Sequence, residues 1–124
     1  MQKIIQLLNC YGEKQKTSTA VTEVGELPTT PLLWASAKSF YEIHSKDPQK
    51  FKWIVPVAEF QQTVNDIMIE LAKNPPDVFG VSLYIWNYEI SLKVCKRVKE
   101  TWPNCVIIVG GPHQYIDYEP DFFI

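Results

Sequence analysis

The sequence has few cysteines, no excess of positive charge and no long hydrophobic run. Its three cysteines among 124 residues are widely spaced and fit neither a disulfide framework nor a CxxC metal site, so reduced thiols are expected. Lysine and arginine total 12 against 14 aspartates and glutamates, which disfavours nucleic-acid binding through phosphates. Apolar runs fall far short of the roughly 20 residues of a membrane helix. With no signal-peptide pattern at the amino terminus, a cytoplasmic location is expected.

Motifs for nucleotide binding and metal ligation are also absent. The chain contains neither GxxxxGK[ST] nor GxGxxG, so phosphate cradling of the two common kinds has no support. Its two histidines, His44 and His113, lie far apart, and neither has the spacing typical of zinc ligands. A composition of 46% hydrophobic and 13% aromatic residues indicates one globular domain with a sizeable core.

Strand and helix patterns alternate along the chain. The predicted strands are 3–8, 51–57, 78–84 and 105–109, the last two being apolar on both faces. The predicted helices are 31–44, 64–73 and 87–102, bounded by Thr30-Pro31, Asn74-Pro75-Pro76, Asn87 and Pro103. Apolar stripes at helical spacing mark one side of the second and third helices, namely Val64, Ile67, Met68 and Leu71, and Ile90, Val94, Val98 and Trp102. A long loop, 9–30, follows the first strand. The pattern predicts an α/β fold, namely a flavodoxin-like (Rossmann-like) doubly wound parallel sheet of about four strands with helices on both faces.

The carboxyl end of the chain is expected to be incomplete. The apolar residues Phe122, Phe123 and Ile124 stand where a fifth strand would start, so residues 1–124 are interpreted as one truncated domain. The apolar surface left uncovered predicts self-association through the exposed sheet edge.

Two segments at predicted strand ends are candidates for a binding site. Ligands of doubly wound sheets bind at the carboxyl ends of the strands, where Ser82 and the Gly110-Gly111 pair are found. Glycines without side chains let a bulky ligand approach the backbone, with a small hydroxyl beside them. A purely structural interpretation, in which the glycines form a tight turn and Ser82 fills a small core space, is equally open.

The segment Pro76–Pro112 resembles the amino-terminal cobalamin-binding domain of radical S-adenosylmethionine proteins. The similarity is carried by SLYIWN at 82–87, by a strand ending in GGP at 110–112, and by ELPTTPLLWASA at 26–37. The resemblance implies that the corrin ring lies on the carboxyl edge of the sheet and that the nucleotide tail passes down between strands. It assigns Ser82, Leu83, Gly110 and Gly111 to the cofactor tail, and Pro112 and His113 follow them as further cofactor-binding candidates. The aromatic residues after the third strand, Tyr84 and Trp86 with Tyr88, are expected to pack against the corrin ring or, alternatively, on a neighbouring domain.

The chain departs from related proteins at two motifs. Residues 9–13 contain no Asp-x-His-x-x-Gly, which excludes histidine ligation of cobalt from that loop, and His113 is interpreted as a polar loop residue. No CxxxCxxC is present either, so the iron–sulfur cluster and S-adenosylmethionine would belong to a catalytic domain elsewhere in the parent chain. The cysteines are interpreted as structural.

Three functions are compatible with these residues. The first is a cobalamin-binding module, not catalytic alone, whose parent is a radical S-adenosylmethionine enzyme such as a methyltransferase. The second keeps the fold with a vestigial, cofactor-free site that serves as a docking or substrate-gating surface. A flavin or small-nucleotide enzyme is the third and has only the fold in its support.

Overall fold

The computed structural model describes residues 2–10, 32–56 and 62–112. In these ranges, strands and helices alternate along the chain as the sequence predicts. The strands are β1 (Lys3–Leu7), β2 (Phe51–Trp53), β3 (Val78–Ser82) and β4 (Val106–Gly110). The helices are α1 (Leu32–His44), α2 (Val64–Ala72) and α3 (Tyr88–Thr101).

The four strands form one parallel sheet in the order β2-β1-β3-β4. This is the strand order of flavodoxin-like sheets, so the predicted fold class is confirmed. The chain moves outward from β1 to β2 and then returns across β1 to β3. The carboxyl ends of β1 and β3 therefore flank the switch point, where ligands of such sheets bind.

Helices α2 and α3 cover one face of the sheet. The side chains of Phe79 and Val81 in β3 point to this face and are buried in the core. They pack with the predicted stripes of the two helices, which consist of Ile67, Met68 and Leu71 in α2 and of Ile90, Val94 and Val98 in α3. Apolar spacing of three and four residues thus identifies the buried side of both helices.

Helix α1 lies on the opposite face, over β1 and β2. The ring of Tyr41 contacts those of Phe51 and Trp53, with centroids 5.8 and 5.6 Å apart. Phe51 and Trp53 pair in register with Lys3 and Ile5 of β1, and Ile5 pairs in turn with Val78 of β3. Val78 alternates with Phe79 along β3, so the β2 rings lie on the face of the sheet away from Phe79. No described helix extends over the β3–β4 half of this face.

Strand β4 is therefore less buried than predicted. The side chains of Val106 and Ile108 are 54% and 58% exposed, whereas Ile107 and Val109 pack against the core. The prediction of full burial is wrong here because an apolar run does not reveal whether helices cover both sides of a strand. In the described residues β4 pairs with β3 alone, and self-association through this edge stays a prediction.

Strand β2 is also shorter than predicted. It ends at Trp53 rather than at residue 57, although the Ile54 amide still donates to the Ile5 carbonyl at 3.1 Å. Pro56 has no amide proton and cannot extend the ladder. The last residue of the predicted strand, Val57, lies outside the described ranges.

Two polar side chains, the buried Gln6 and the exposed Asp77, tie β1 to α2 and to the residue before β3. The Gln6 side chain donates to the carbonyls of Leu71 (3.1 Å) and Asn74 (2.6 Å) at the end of α2. The Ile4 amide donates to an Asp77 carboxylate oxygen at 2.7 Å. These bonds hold β1 against α2 and β3 and so set the position of its carboxyl end.

None of the described helices has the length and apolar character that crossing a bilayer requires.

Candidate functional site

The carboxyl ends of β1, β3 and β4 lie side by side and form what we call the carboxyl edge. Hydrogen bonds continue just past the strands, from the Leu8 amide to the Gly80 carbonyl (2.8 Å) and from the Leu83 amide to the Gly110 carbonyl (2.7 Å). The described residues that follow these strands, 8–10, 83–87 and 111–112, carry no charge. A neutral, amide-bearing ligand suits such an edge better than a polyanion.

Gly110 is the glycine that leaves space at this edge. It is the last residue of β4, and a Cβ added to it would meet no atom of the described residues within 4 Å. Its backbone does not adopt positive φ, since Gly111 is the one described residue that does. Neither backbone conformation nor packing therefore requires glycine at this position. The open space beside Gly110 is a cradle that a side chain, or a ligand, would fill.

Gly111 is required by the fold itself. Its φ is +97°, and an added Cβ would lie 2.5 and 2.6 Å from the amide nitrogen and carbonyl oxygen of Leu83. The same Cβ would be 2.8 Å from the Ser82 hydroxyl oxygen. The loop after β4 thus folds closely against the end of β3. For this glycine the structural interpretation alone accounts for the residue type.

Ser82 and Leu83 lie next to Gly110 and Gly111, as the sequence predicts. Ser82 is partly accessible there, whereas Leu83 contributes only its backbone. Ser82 is half-buried at the end of β3 and pairs in register with Gly110. The Leu83 side chain is buried in the core on the α2–α3 side, so only its backbone faces the loop after β4. Pro112 is exposed beside them. His113 lies outside the described residues.

The two aromatic residues assigned to the site stack on each other. The rings of Tyr84 and Trp86 have centroids 4.6 Å apart and an interplanar angle of 9°. Trp86 is 53% exposed, so one broad apolar ring remains accessible above the carboxyl edge. Flat rings exposed in this way provide a surface for a large planar ligand or for a neighbouring domain.

Asn87 lies beside the carboxyl edge, and its residue type predicts only a helix cap. It occupies the N-cap position of α3, but its side chain makes no cap hydrogen bond. Its oxygen accepts from the Tyr84 amide at 2.8 Å, and its nitrogen donates to the Cys10 and Ser82 carbonyls at 3.0 Å each. The side chain therefore joins the ends of β1 and β3. Its partner Cys10 is 77 residues away, so local sequence patterns cannot reveal this role.

The described cysteines are structural, and two of them are strongly desolvated. Burial, with a smaller contribution from the nearby Cys105, raises the pKa of Cys95 to about 12. Burial raises the pKa of Cys105 to about 11, against an opposing effect of the Lys99 ammonium. Cys10 is also buried and forms no disulfide. Among the described residues no group of histidine, cysteine and acidic side chains is arranged to hold a metal ion.

Cys95 and Cys105 are expected to resist alkylation in the folded protein. Both thiols stay protonated at pH 8 because their pKa values lie well above it, and thiolate is the reactive form. Mass spectrometry after iodoacetamide treatment should find them unmodified in buffer and fully modified in urea. Labelling in buffer at the rate of an exposed thiol would contradict the structural assignment.

Comparison with known proteins identifies the domain type. Residues 49–120 match the B12 binding domain family. The cobalamin-dependent radical SAM methyltransferase TokK of Streptomyces tokunonensis is 31% identical over 93 residues, which cover 73% of this chain and 13% of that protein. The 2-(S-pantetheinyl)-carbapenam-3-carboxylate methyltransferase of Streptantibioticus cattleyicolor is 33% identical over 101 residues, covering 78% and 14%.

The chain thus spans about a seventh of the length of these two relatives. The family match includes α2, β3, α3 and β4, and therefore both the Gly110 cradle and the Tyr84–Trp86 stack. The resemblance inferred from the sequence is confirmed, and the cofactor-free alternative is not favoured. Because the match covers more than half of its residues, the chain belongs to the B12-binding domain family.

Proposed function

We propose that this chain is the cobalamin-binding module of a cobalamin-dependent radical S-adenosylmethionine methyltransferase and that it holds the corrinoid at the carboxyl edge. The observation that carries the proposal is the open cradle at Gly110, which neither backbone conformation nor packing among the described residues explains. The cradle lies beside the switch point of the sheet, where this fold binds ligands. Family membership identifies the ligand class that fits there.

The nucleotide tail of the cofactor would lie along β3 and β4 on the α1 side of the sheet. Gly110 and Ser82 pair in register on this side, and Ile108 continues the same face below them. Ile108 is exposed, so an apolar group can pack over it without displacing any described residue. The Ser82 hydroxyl supplies a hydrogen-bonding group at the mouth of this groove.

The corrin ring would lie above the carboxyl edge, against the Tyr84–Trp86 stack. The rim of the corrin carries neutral amides, and the uncharged residues after β1, β3 and β4 impose no desolvation of a charged side chain when the ring covers them. Stacking uses one face of each ring in the pair, which leaves the outer face of Trp86 for the ligand. Leu83 and Gly111 act by shaping the floor through their backbones.

The catalytic part of the parent enzyme would lie in other residues of that chain. Both relatives are methyltransferases and extend far beyond the matched segment. A bound cobalamin supplies a carrier for a one-carbon group, while the residues of this module bind and orient it. None of the three cysteines forms a disulfide. A CxxxCxxC motif encoded in the reading frame beyond residue 124 would support this parent, and its absence from the full frame would contradict it.

Titration of the 124-residue chain with hydroxocobalamin tests the binding function. Visible absorbance and calorimetry should show saturable binding of one corrinoid per chain. FMN is the control ligand, because its phosphate dianion has no cationic partner among the described residues of the carboxyl edge. Saturable binding of FMN with none of hydroxocobalamin, by a chain folded according to circular dichroism, would contradict the proposal.

A further inference from the structure

We propose that Asn87 is a positioning residue of the corrinoid site. Its side-chain amide holds the ends of β1 and β3, together with the turn 84–87 that carries the aromatic stack, in the arrangement that the ring meets. The inference rests on the proposed function and adds to it a residue that contacts no ligand atom. Asn87 acts through the backbone of three other residues.

The contacts of Asn87 are complete and internal. The residue is 6% exposed, and both hydrogens of its side-chain nitrogen are used, one on the Cys10 carbonyl and one on the Ser82 carbonyl, at 3.0 Å each. Its side-chain oxygen accepts from the Tyr84 amide at 2.8 Å. A buried amide with this set of partners is fixed in a single orientation.

The hydrogen bonds of Asn87 do more than close a local turn, because they also join the ends of two strands. The ladder between β1 and β3 ends with the bond from the Leu8 amide to the Gly80 carbonyl. Beyond it, the Asn87 side-chain amide links the Ser82 carbonyl after β3 to the Cys10 carbonyl after β1. This side chain is therefore a direct link between the ends of the two strands, beside the bond that the Gln62 side chain donates to the Asn9 carbonyl at 2.9 Å.

The same side chain orients the aromatic surface. Tyr84 is held through its amide by the Asn87 side chain, and through its carbonyl by the Asn87 amide at 3.2 Å. This closes the turn that places the Tyr84 and Trp86 rings in their stack. Loss of the Asn87 side-chain amide would therefore loosen both the link between the ends of β1 and β3 and the turn that carries the Tyr84–Trp86 stack.

Asparagine is the residue type that these partners select. Aspartate keeps the size and the acceptor for the Tyr84 amide, but it replaces the donating nitrogen by an oxygen that faces two carbonyl oxygens. Serine keeps a hydroxyl near the backbone but is too short to reach Cys10 as well as Ser82. Substitution by either residue tests the link while adding no bulk to the site.

The test measures corrinoid affinity and the aromatic stack together in the full 124-residue chain. In Asn87→Asp, the Kd for hydroxocobalamin should rise about tenfold, and the near-ultraviolet circular dichroism of the ligand-free protein should change at temperatures where it remains folded. A residue that only contributes stability would lower the melting temperature and leave both readouts unchanged. If Asn87→Asp does not fold, Asn87→Ser is scored by the same two readouts.

Thr63→Ala is the matched control. It removes a single hydrogen bond, from the Asp66 amide to the Thr63 hydroxyl at 3.1 Å, at the start of α2. Its melting temperature should fall while its Kd stays within about twofold of the wild-type value. Unchanged affinity in a folded Asn87 variant, or equal weakening in Thr63→Ala, would overturn the inference. No binding by the wild-type chain would overturn the proposed function and this inference with it.

Discussion

Replacing Gly110 by phenylalanine is expected to abolish cobalamin binding without lowering the thermal stability of the chain. The new ring would enter the open space beside Gly110, where an added Cβ meets no described atom within 4 Å, so the described part of the fold can accept it. A ligand that needs this space would be excluded, and an overlap of this kind weakens binding by at least about a hundredfold. Hydroxocobalamin titration and thermal denaturation followed by circular dichroism measure the two effects separately.

Val106→Phe is the control for this variant. Val106 lies on the same strand and the same face as Gly110, four residues earlier in β4, and its side chain is already exposed. The added ring is therefore about 13 Å from the cradle, and wild-type affinity is expected. Undiminished cobalamin binding by a folded Gly110→Phe chain would show that the ligand does not occupy the cradle.

Gly111→Ala is expected to destabilise the folded chain severely. The residue needs positive φ, and the new methyl group would lie 2.5 to 2.8 Å from the Leu83 backbone and the Ser82 hydroxyl. Two of these three neighbouring atoms belong to the backbone, which cannot move aside as a flexible side chain can. Backbone strain and overlap together should cost about 3 kcal/mol, equivalent to a fall of about 10 °C in melting temperature. Urea and thermal denaturation measure this cost.

The same substitution one residue earlier provides the comparison. Gly110→Ala places a methyl group in open space on a backbone with ordinary φ, so its free energy of unfolding should equal or slightly exceed that of the wild type. Equal stability losses in the two alanine variants would contradict the distinct roles assigned to the two glycines. Because bulky residues at Gly111 would disrupt the loop after β4, Gly110 is the position at which ligand access can be tested.

Much of the architecture follows from periodicity and turn residues. The stripe Ile67, Met68 and Leu71 predicts the buried side of α2, and the Pro75-Pro76 pair predicts where that helix ends. Strict alternation of strands and helices leaves few parallel topologies once crossovers are right-handed. The carboxyl ends of the strands, and with them the general position of the site, follow from that topology.

The remaining features depend on contacts that are distant in sequence. An apolar run predicts a strand that is covered on both faces, but it does not show whether a helix covers each of them. The exposure of Val106 and Ile108, which have no described helix over them, is therefore not predictable from the composition of β4. The sequence alone does not distinguish Gly110 from Gly111. The structure shows that the fold requires glycine at position 111 and that Gly110 leaves space beside the backbone. The bond from the Asn87 side chain to the Cys10 carbonyl joins the ends of β1 and β3, which are not consecutive in the chain. The residues around Asn87 in the sequence therefore indicate only the start of a helix.

Paramagnetic broadening by cob(II)alamin would test the location of the site most directly. In the isotope-labelled chain under anaerobic conditions, the unpaired electron on cobalt should broaden amide resonances after β1, β3 and β4, including those of Leu8, Leu83 and Gly111. Amides at the opposite edge of the sheet, such as Lys3, Asp77 and Val106, should keep their intensity. Broadening confined to the carboxyl edge is the expected result. Broadening concentrated at the amino edge, or spread evenly over the sheet, would contradict a corrinoid site at the carboxyl edge.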